Sequence, residues 1–137
     1  MPLVWTAELA TGNRQIDEQH RRLFQLFGDL QDAIERHEGE EELGRTLTAL
    51  AVYVVAHFRM EEDLMRRYGY AGLEAHCEAH RFMRVQVEAM IDHYKDLGLD
   101  PVKVQLFLEE WLIIHVQDDD RAMAQFLVSC GQGALAD

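Results

Sequence analysis

Two short stretches hold the residues best suited to chemistry. His57-Phe58-Arg59-Met60-Glu61 and His76-Cys77-Glu78-Ala79-His80 each set two good metal donors four residues apart. On a helix such residues lie above one another on one face, so each pair can grip one ion or a small cluster. Further donors fall on apolar stripes elsewhere: His20, His115 and one of Asp118, Asp119 and Asp120. Imidazoles with one or two carboxylates suit iron, zinc or copper, whereas calcium and magnesium want oxygen cages. Seven donors are too many for one ion, so the set implies two. In a six-coordinate pair, five imidazoles, two bridging carboxylates and a bridging oxide or hydroxide leave one position open, and a small ligand such as dioxygen would bind there.

The elements that must position these donors are read from periodicity. Asp17 offers a helix start, and His20, Leu23, Phe24, Phe27, Leu30 and Ile34 then recur at three and four, ending near His37 and Gly39. A second helix over about residues 41–68 carries Leu43, Leu47, Leu50, Val54, His57, Glu61, Leu64 and Tyr68 in phase, followed by a turn at Gly69-Tyr70-Ala71-Gly72. The third presents Leu73, His76, His80, Met83, Val87, Met90 and Tyr94 before Gly98. Asp100-Pro101 is an N-cap with proline at the first helical position; the fourth stripe is Val104, Leu108, Trp111, Leu112, His115, Ala122 and Phe126. The expected fold class is all-α, an up-down-up-down four-helix bundle with an N-terminal extended arm. One domain is expected, with residues 1–16 as the arm, 17–130 as the bundle and 131–137 as a tail. Trp5 on the arm is expected to tuck against the bundle.

Short turns set neighbouring helices level, so axial height can be counted from them. At ~1.5 Å per residue, the histidines and Glu61 agree in height to within about one turn across every connection. A lone histidine on an apolar stripe is ordinarily a hydrogen-bonded core residue. Five of them with a glutamate at one depth would bury too many polar groups without partners, and a metal repairs that deficit. His37 and His93 flank helix ends off the stripes and are read as solvated. Arg21, Arg22, Arg66 and Arg67 read as surface charge. Regular helix geometry places Asp119 ~40° from His115 and Asp120 ~140° away, whereas a widened π-type turn would bring Asp120 round. Spacing alone leaves that choice open.

Bulk properties exclude several classes. The 137-residue chain has a formal charge of −12 and a pI of about 4.9, against nucleic acid or anionic membrane as a partner. The apolar run at residues 49–56 is far too short to span a bilayer. The first residues lack the basic start and apolar centre of a signal peptide. Cys77 and Cys130 make no disulfide framework, so a cytoplasmic location is expected, with Cys77 a structural or surface thiol.

Two metal-enzyme patterns fit poorly. Carboxylate-rich di-iron oxidases use E-x-x-H, and no histidine here has a glutamate three residues before it. Zinc proteases use H-E-x-x-H, but in residues 76–80 the glutamate is third. Instead the chain resembles the hemerythrins, in particular the single-domain bacteriohemerythrins, over nearly its whole length. The resemblance lies in Trp5, D-x-Q-H ending at His20, H-F-x-x-E-E from His57 to Glu62, H-x-x-x-H from His76 to His80, and W-L-x-x-H from Trp111 to His115 with Asp120 five residues on. It implies a non-haem di-iron centre that binds O2 reversibly. His76, His80 and His115 would hold one iron, and His20 and His57 the other, which keeps the open position. Glu61 and Asp120 would bridge them.

Independently, Leu112 lies three residues before His115 and Phe58 adjoins His57, so both can line a cavity over the open iron, with Trp111 packed nearby. A dry apolar wall would slow oxidation of the irons to a dead ferric state. The expected function is oxygen binding for storage, delivery or buffering, by a monomer and not an enzyme. The alternatives are a sensor acting through a signalling partner and a di-iron enzyme consuming peroxide or nitric oxide. Partners would be dioxygen and, for delivery, an oxygen-consuming enzyme.

Overall fold

Asn13, not Asp17, caps the first helix. Its side chain accepts the Ile16 N–H at 2.9 Å, and helix α1 runs Arg14–Glu35. Asp17 lies inside the helix and buried, where its Oδ1 accepts the N–H and hydroxyl of Thr11 at 2.8 and 2.7 Å. The expected helix start is therefore corrected by one turn, and Asp17 ties the arm to the bundle instead. The computed structural model describes residues 4–37, 39–97 and 100–131, without the side chains of residues 40, 93–97, 101 and 104. Expectations for His93, Tyr94, Gly98, Val104, Gly133 and Ala134 lie outside that description.

Helix α2 spans Glu40–Tyr68 and stops at Gly69, whose φ of 71° is the left-handed conformation glycine tolerates. Helix α3 spans Leu73–Leu97. Helix α4, Pro101–Ile114, opens as expected with the Asp100 carboxylate accepting the Val102 N–H. It continues through a π-helical turn, His115–Asp120, into helix α5, Arg121–Ser129, and together these make the fourth rod of an up-down-up-down bundle. Helix α1 packs on α2 and α4, and α2 packs on α3. Among the described residues no helix is long and apolar enough to cross a membrane.

The arm carries a single 3-10 turn, Ala7–Leu9, and Trp5 and Leu9 pack on the core. Arg21 is not plain surface charge: its guanidinium sits 4.3 Å from the centre of the Trp5 ring, a cation–π contact that holds the arm down. Arg121 donates to the Glu8 carbonyl at 2.6 Å from the opposite end of the chain.

Two large apolar clusters make most of the core, with a small third one of Ala33 and Leu43 toward the α1–α2 connection. One gathers Leu23, Phe27, Val54, Phe58, Met83, Leu112 and their neighbours. The other holds Ile16, Met65, Met123, Ala124 and Leu127. Along α1, α2 and the fourth rod, a buried polar residue separates the two: His20 between Ile16 and Leu23, Glu61 between Phe58 and Met65, Asp120 between Val116 and Met123.

The π turn also resets the phase of everything after it. Regular spacing from His115 puts Ala122 and Phe126 on the core face, but Ala122 is exposed and Phe126 only partly buried. Met123 and Leu127 are fully buried in their place. One extra residue in the turn rotates the following helix by about 100°, moving the apolar stripe on by one position. Accordingly, Leu127→Ala should lower stability in urea by about 2–5 kcal/mol. Ala122→Lys should change it by less than about 0.5 kcal/mol.

Candidate metal centre

His57 and Glu61 come from α2, His76 and His80 from α3, His20 from α1, and His115 and Asp120 from the two ends of the π turn. All seven are at most 4% exposed. Their inward atoms form two groups, each with atoms within 4.8 Å of one another: Glu61, His76, His80, His115 and Asp120, and His20, His57, Glu61 and Asp120. The structure thus brings His20, His57, Glu61, His76, His80, His115 and Asp120 to one place. Of the three aspartates only Asp120 lies in these groups, since Asp118 is exposed and Asp119 points at the outer side of His115.

The two carboxylates divide their oxygens between the groups. Glu61 Oε1 lies 3.0 Å from His80 Nε2 and 3.3 Å from His76 Nε2, while its Oε2 lies 3.1 Å from His57 Nε2. Asp120 Oδ1 lies 2.9 Å from His115 Nε2 and 3.0 Å from His76 Nε2, and its Oδ2 lies 2.7 Å from His20 Nε2. One oxygen of each carboxylate faces each group. His57 Nε2, Glu61 Oε2 and Asp120 Oδ1 nevertheless make no hydrogen bond, although these separations are short enough. The atoms are close but misaligned, as donors converging on a shared point must be. Leaving such buried groups unpaired is costly, and a cation between them satisfies several at once. The donor set fits a pair of metal ions.

Charge in the metal-free protein follows from the same packing. Burial works against the charged form of His57, but Glu61 and Asp120 more than offset it and raise its pKa to about 9. His76 is likewise raised to about 9, against burial, by Asp120 and Glu61. His115 is held well above its usual range, its burial outweighed by Asp120 and Asp119. Glu61 and Asp120 are driven well below the usual carboxylate range by the surrounding imidazoles, despite burial.

Behind the donors stand Gln19 and Glu62, to which sequence reading assigned no role, and Asp119, which regular helix spacing favoured as a donor. His57 Nδ1 lies 2.7 Å from Gln19 Oε1, His80 Nδ1 3.0 Å from Glu62 Oε2 and His115 Nδ1 2.9 Å from Asp119 Oδ2. Each partner atom is an acceptor, so each Nδ1 carries the proton and Nε2 faces inward. The available signal was position: Gln19, Glu62 and Asp119 each adjoin a donor in the chain. Phe58 stacks on His80, with centroids 3.9 Å apart and planes at 9°, and Trp111 stacks on His115 at 4.4 Å and 18°. These rings fix the imidazole planes from the apolar side.

Phe58, Trp111 and Leu112 also line a small cavity with Leu23, Phe27, Val54 and Met83, reaching His57, His115 and Asp120. Its volume of about 20 Å³ exceeds what one water needs, and its wall is almost wholly apolar. Cys77 belongs to neither donor group; it lies partly exposed beside Glu62 in a surface groove.

Comparison with known proteins gives a consistent result. A model of the "Hemerythrin HHE cation binding domain" matches residues 11–127. A bacteriohemerythrin of Pseudomonas aeruginosa is 34% identical over 123 residues, covering 86% of this chain and 76% of that one. One of Methylococcus capsulatus is 32% identical over 124 residues, covering 87% and 92%. A crystal structure of wild-type hemerythrin superposes with a TM-score of 0.85 at 27% identity, covering 93% of this chain and 98% of that chain.

Raised histidines stabilise the metal-free fold fully below their ordinary value of 6.5, and that stability is lost as pH climbs through about 9. The depressed carboxylates stabilise it above their ordinary values of 4.5 and 3.8 and cease to do so on acidification. Thermal melts of metal-free protein should therefore peak between about pH 4.5 and 6.5 and fall toward pH 9. At pH 7, titration with divalent metal should release protons into a weakly buffered solution, since the ion displaces them from Nε2 atoms.

Proposed function

The chain belongs to the hemerythrin HHE cation-binding family, and on that premise we propose that it binds dioxygen reversibly at a pair of non-haem irons. His76, His80 and His115 would hold one iron and His20 and His57 the other, with Glu61 and Asp120 shared through their separate oxygens. When bound, the iron pair would supply the electrons and the one open coordination position that dioxygen requires. Everything else is the task of this chain.

The observation that carries the reading is the division of each buried carboxylate between two imidazole groups, beside an apolar cavity of about 20 Å³. Three imidazoles on one side and two on the other leave the coordination unequal, and the cavity reaches both His57 on the poorer side and His115 on the richer one. Mostly neutral donors favour the ferrous state. The wall of Leu23, Phe27, Phe58 and Leu112 keeps water and protons from the site, which favours release of oxygen unchanged over its reduction. The role that follows is storage, delivery or buffering of oxygen.

Iron-loaded protein should carry about two irons per chain, and a visible spectrum that develops in air should vanish under vacuum with the oxygen recovered intact. Recovery of peroxide or water in place of oxygen would refute carriage. Leu112→Ala should enlarge the cavity, lower stability by about 2–5 kcal/mol and hasten oxidation of the ferrous form in air, read as loss of the oxygenated spectrum over time.

A further inference from the structure

The hydrogen bonds behind the imidazoles sort by charge, and the sorting follows the two metal positions. Both carboxylate partners, Glu62 and Asp119, stand behind His80 and His115, two of the three histidines of one group. Behind His57 stands the neutral amide of Gln19. Behind His20 the Nδ1 atom is buried and has no partner among the described residues. An imidazole whose outer N–H donates to a carboxylate has a more basic inner nitrogen, and binds and oxidises its metal more readily. Since Glu61 and Asp120 serve both positions alike, the outer partners add a charge difference to the difference in histidine number.

We propose that these outer hydrogen bonds make the two positions unequal in grip and electron density, with Gln19 the residue that keeps the His20–His57 position the more weakly held and the more readily kept ferrous. This rests on the two-iron reading above. Gln19 is suited to the role because its contact with His57 is the shortest of the three, at 2.7 Å, and its side chain is partly buried. Glu62 is softened by Arg66, 3.6 Å from its other oxygen, and Asp119 is 44% exposed. A new charge at position 19 would therefore act more strongly than the removal of either existing one.

The test is anaerobic transfer of iron from the fully loaded protein to a ferrous chelator, followed by absorbance. Wild-type protein should lose its iron in two phases of equal size. Histidine number alone predicts as much, so the variants decide. Gln19→Glu keeps the hydrogen bond and adds a charge; it should slow the fast phase by about 10-fold or more and leave the slow phase in place. Glu62→Gln with Asp119→Asn should hasten the slow phase and leave the fast one. The first reduction potential of the oxidised protein should also fall in Gln19→Glu, which a merely structural role would not produce. Circular dichroism melts check folding, and the Glu62→Gln arm still decides if Gln19→Glu unfolds. Equal changes in both phases, or none, overturn the proposal, as does a single wild-type phase, while two irons per chain with reversible oxygen binding would leave the parent reading standing. Fewer than two irons per chain in wild type would sink both.

Discussion

Two carboxylates, each wholly buried and each facing two sets of imidazoles, are the constraint on which the molecule turns. Ionised oxygens in a dry interior are tolerated only when paired, and among the described residues no lysine or arginine contacts the oxygens of Glu61 and Asp120. Their counter-charges must come from imidazolium or from metal. That requirement demands a donor from every rod of the bundle at one depth. It also explains why the two large apolar clusters are separate and not one. The polar layer is a partition, and packing above and below it keeps out the water that would otherwise solvate it.

The π turn answers a geometric problem created by this demand. His115 and Asp120 must both face inward, yet five residues of regular helix would point them well apart. Widening the turn brings them together and leaves Asp119 against the outer nitrogen of His115. The cost is a shift in every later residue, so the lower cluster is built from Met123 and Leu127. Site geometry and core packing at this end of the molecule are thus one choice, since a regular turn would expel Asp120 and misplace the leucine together.

The surroundings of the layer differ by side. Toward the cavity, Phe58 and Trp111 press flat against His80 and His115 and present an almost wholly apolar wall. Toward the surface, the same two histidines meet Glu62 and Asp119, which remain partly accessible. His57 meets an amide, and the arm closes over the end of α1 through Thr11 on Asp17 and Trp5 under Arg21. Apolar shielding sets what can enter. Polar contacts set how each imidazole is oriented and how strongly it donates.

Much of this was legible from residue types in helical phase. The bundle and six of the donors, His20, His57, Glu61, His76, His80 and His115, follow from stripes of period 3.6, because a side chain's azimuth on a regular helix depends only on its place in the chain. Phe58 and Leu112 follow from their nearness to His57 and His115. The same rule failed where the helix is not regular: phase favoured Asp119, Ala122 and Phe126, and packing chose Asp120, Met123 and Leu127. Asp17 misled for a related reason, since an aspartate can cap a helix or, as here, accept bonds from the segment before it. Gln19 and Glu62 stood inside the quoted motifs without a role, because which atom lies behind an imidazole is decided across helices. Residue chemistry and period therefore determined the histidines and Glu61 that gather at the site. Tertiary packing decided the break in period and the outer partners, for those depend on neighbours that no single helix encodes.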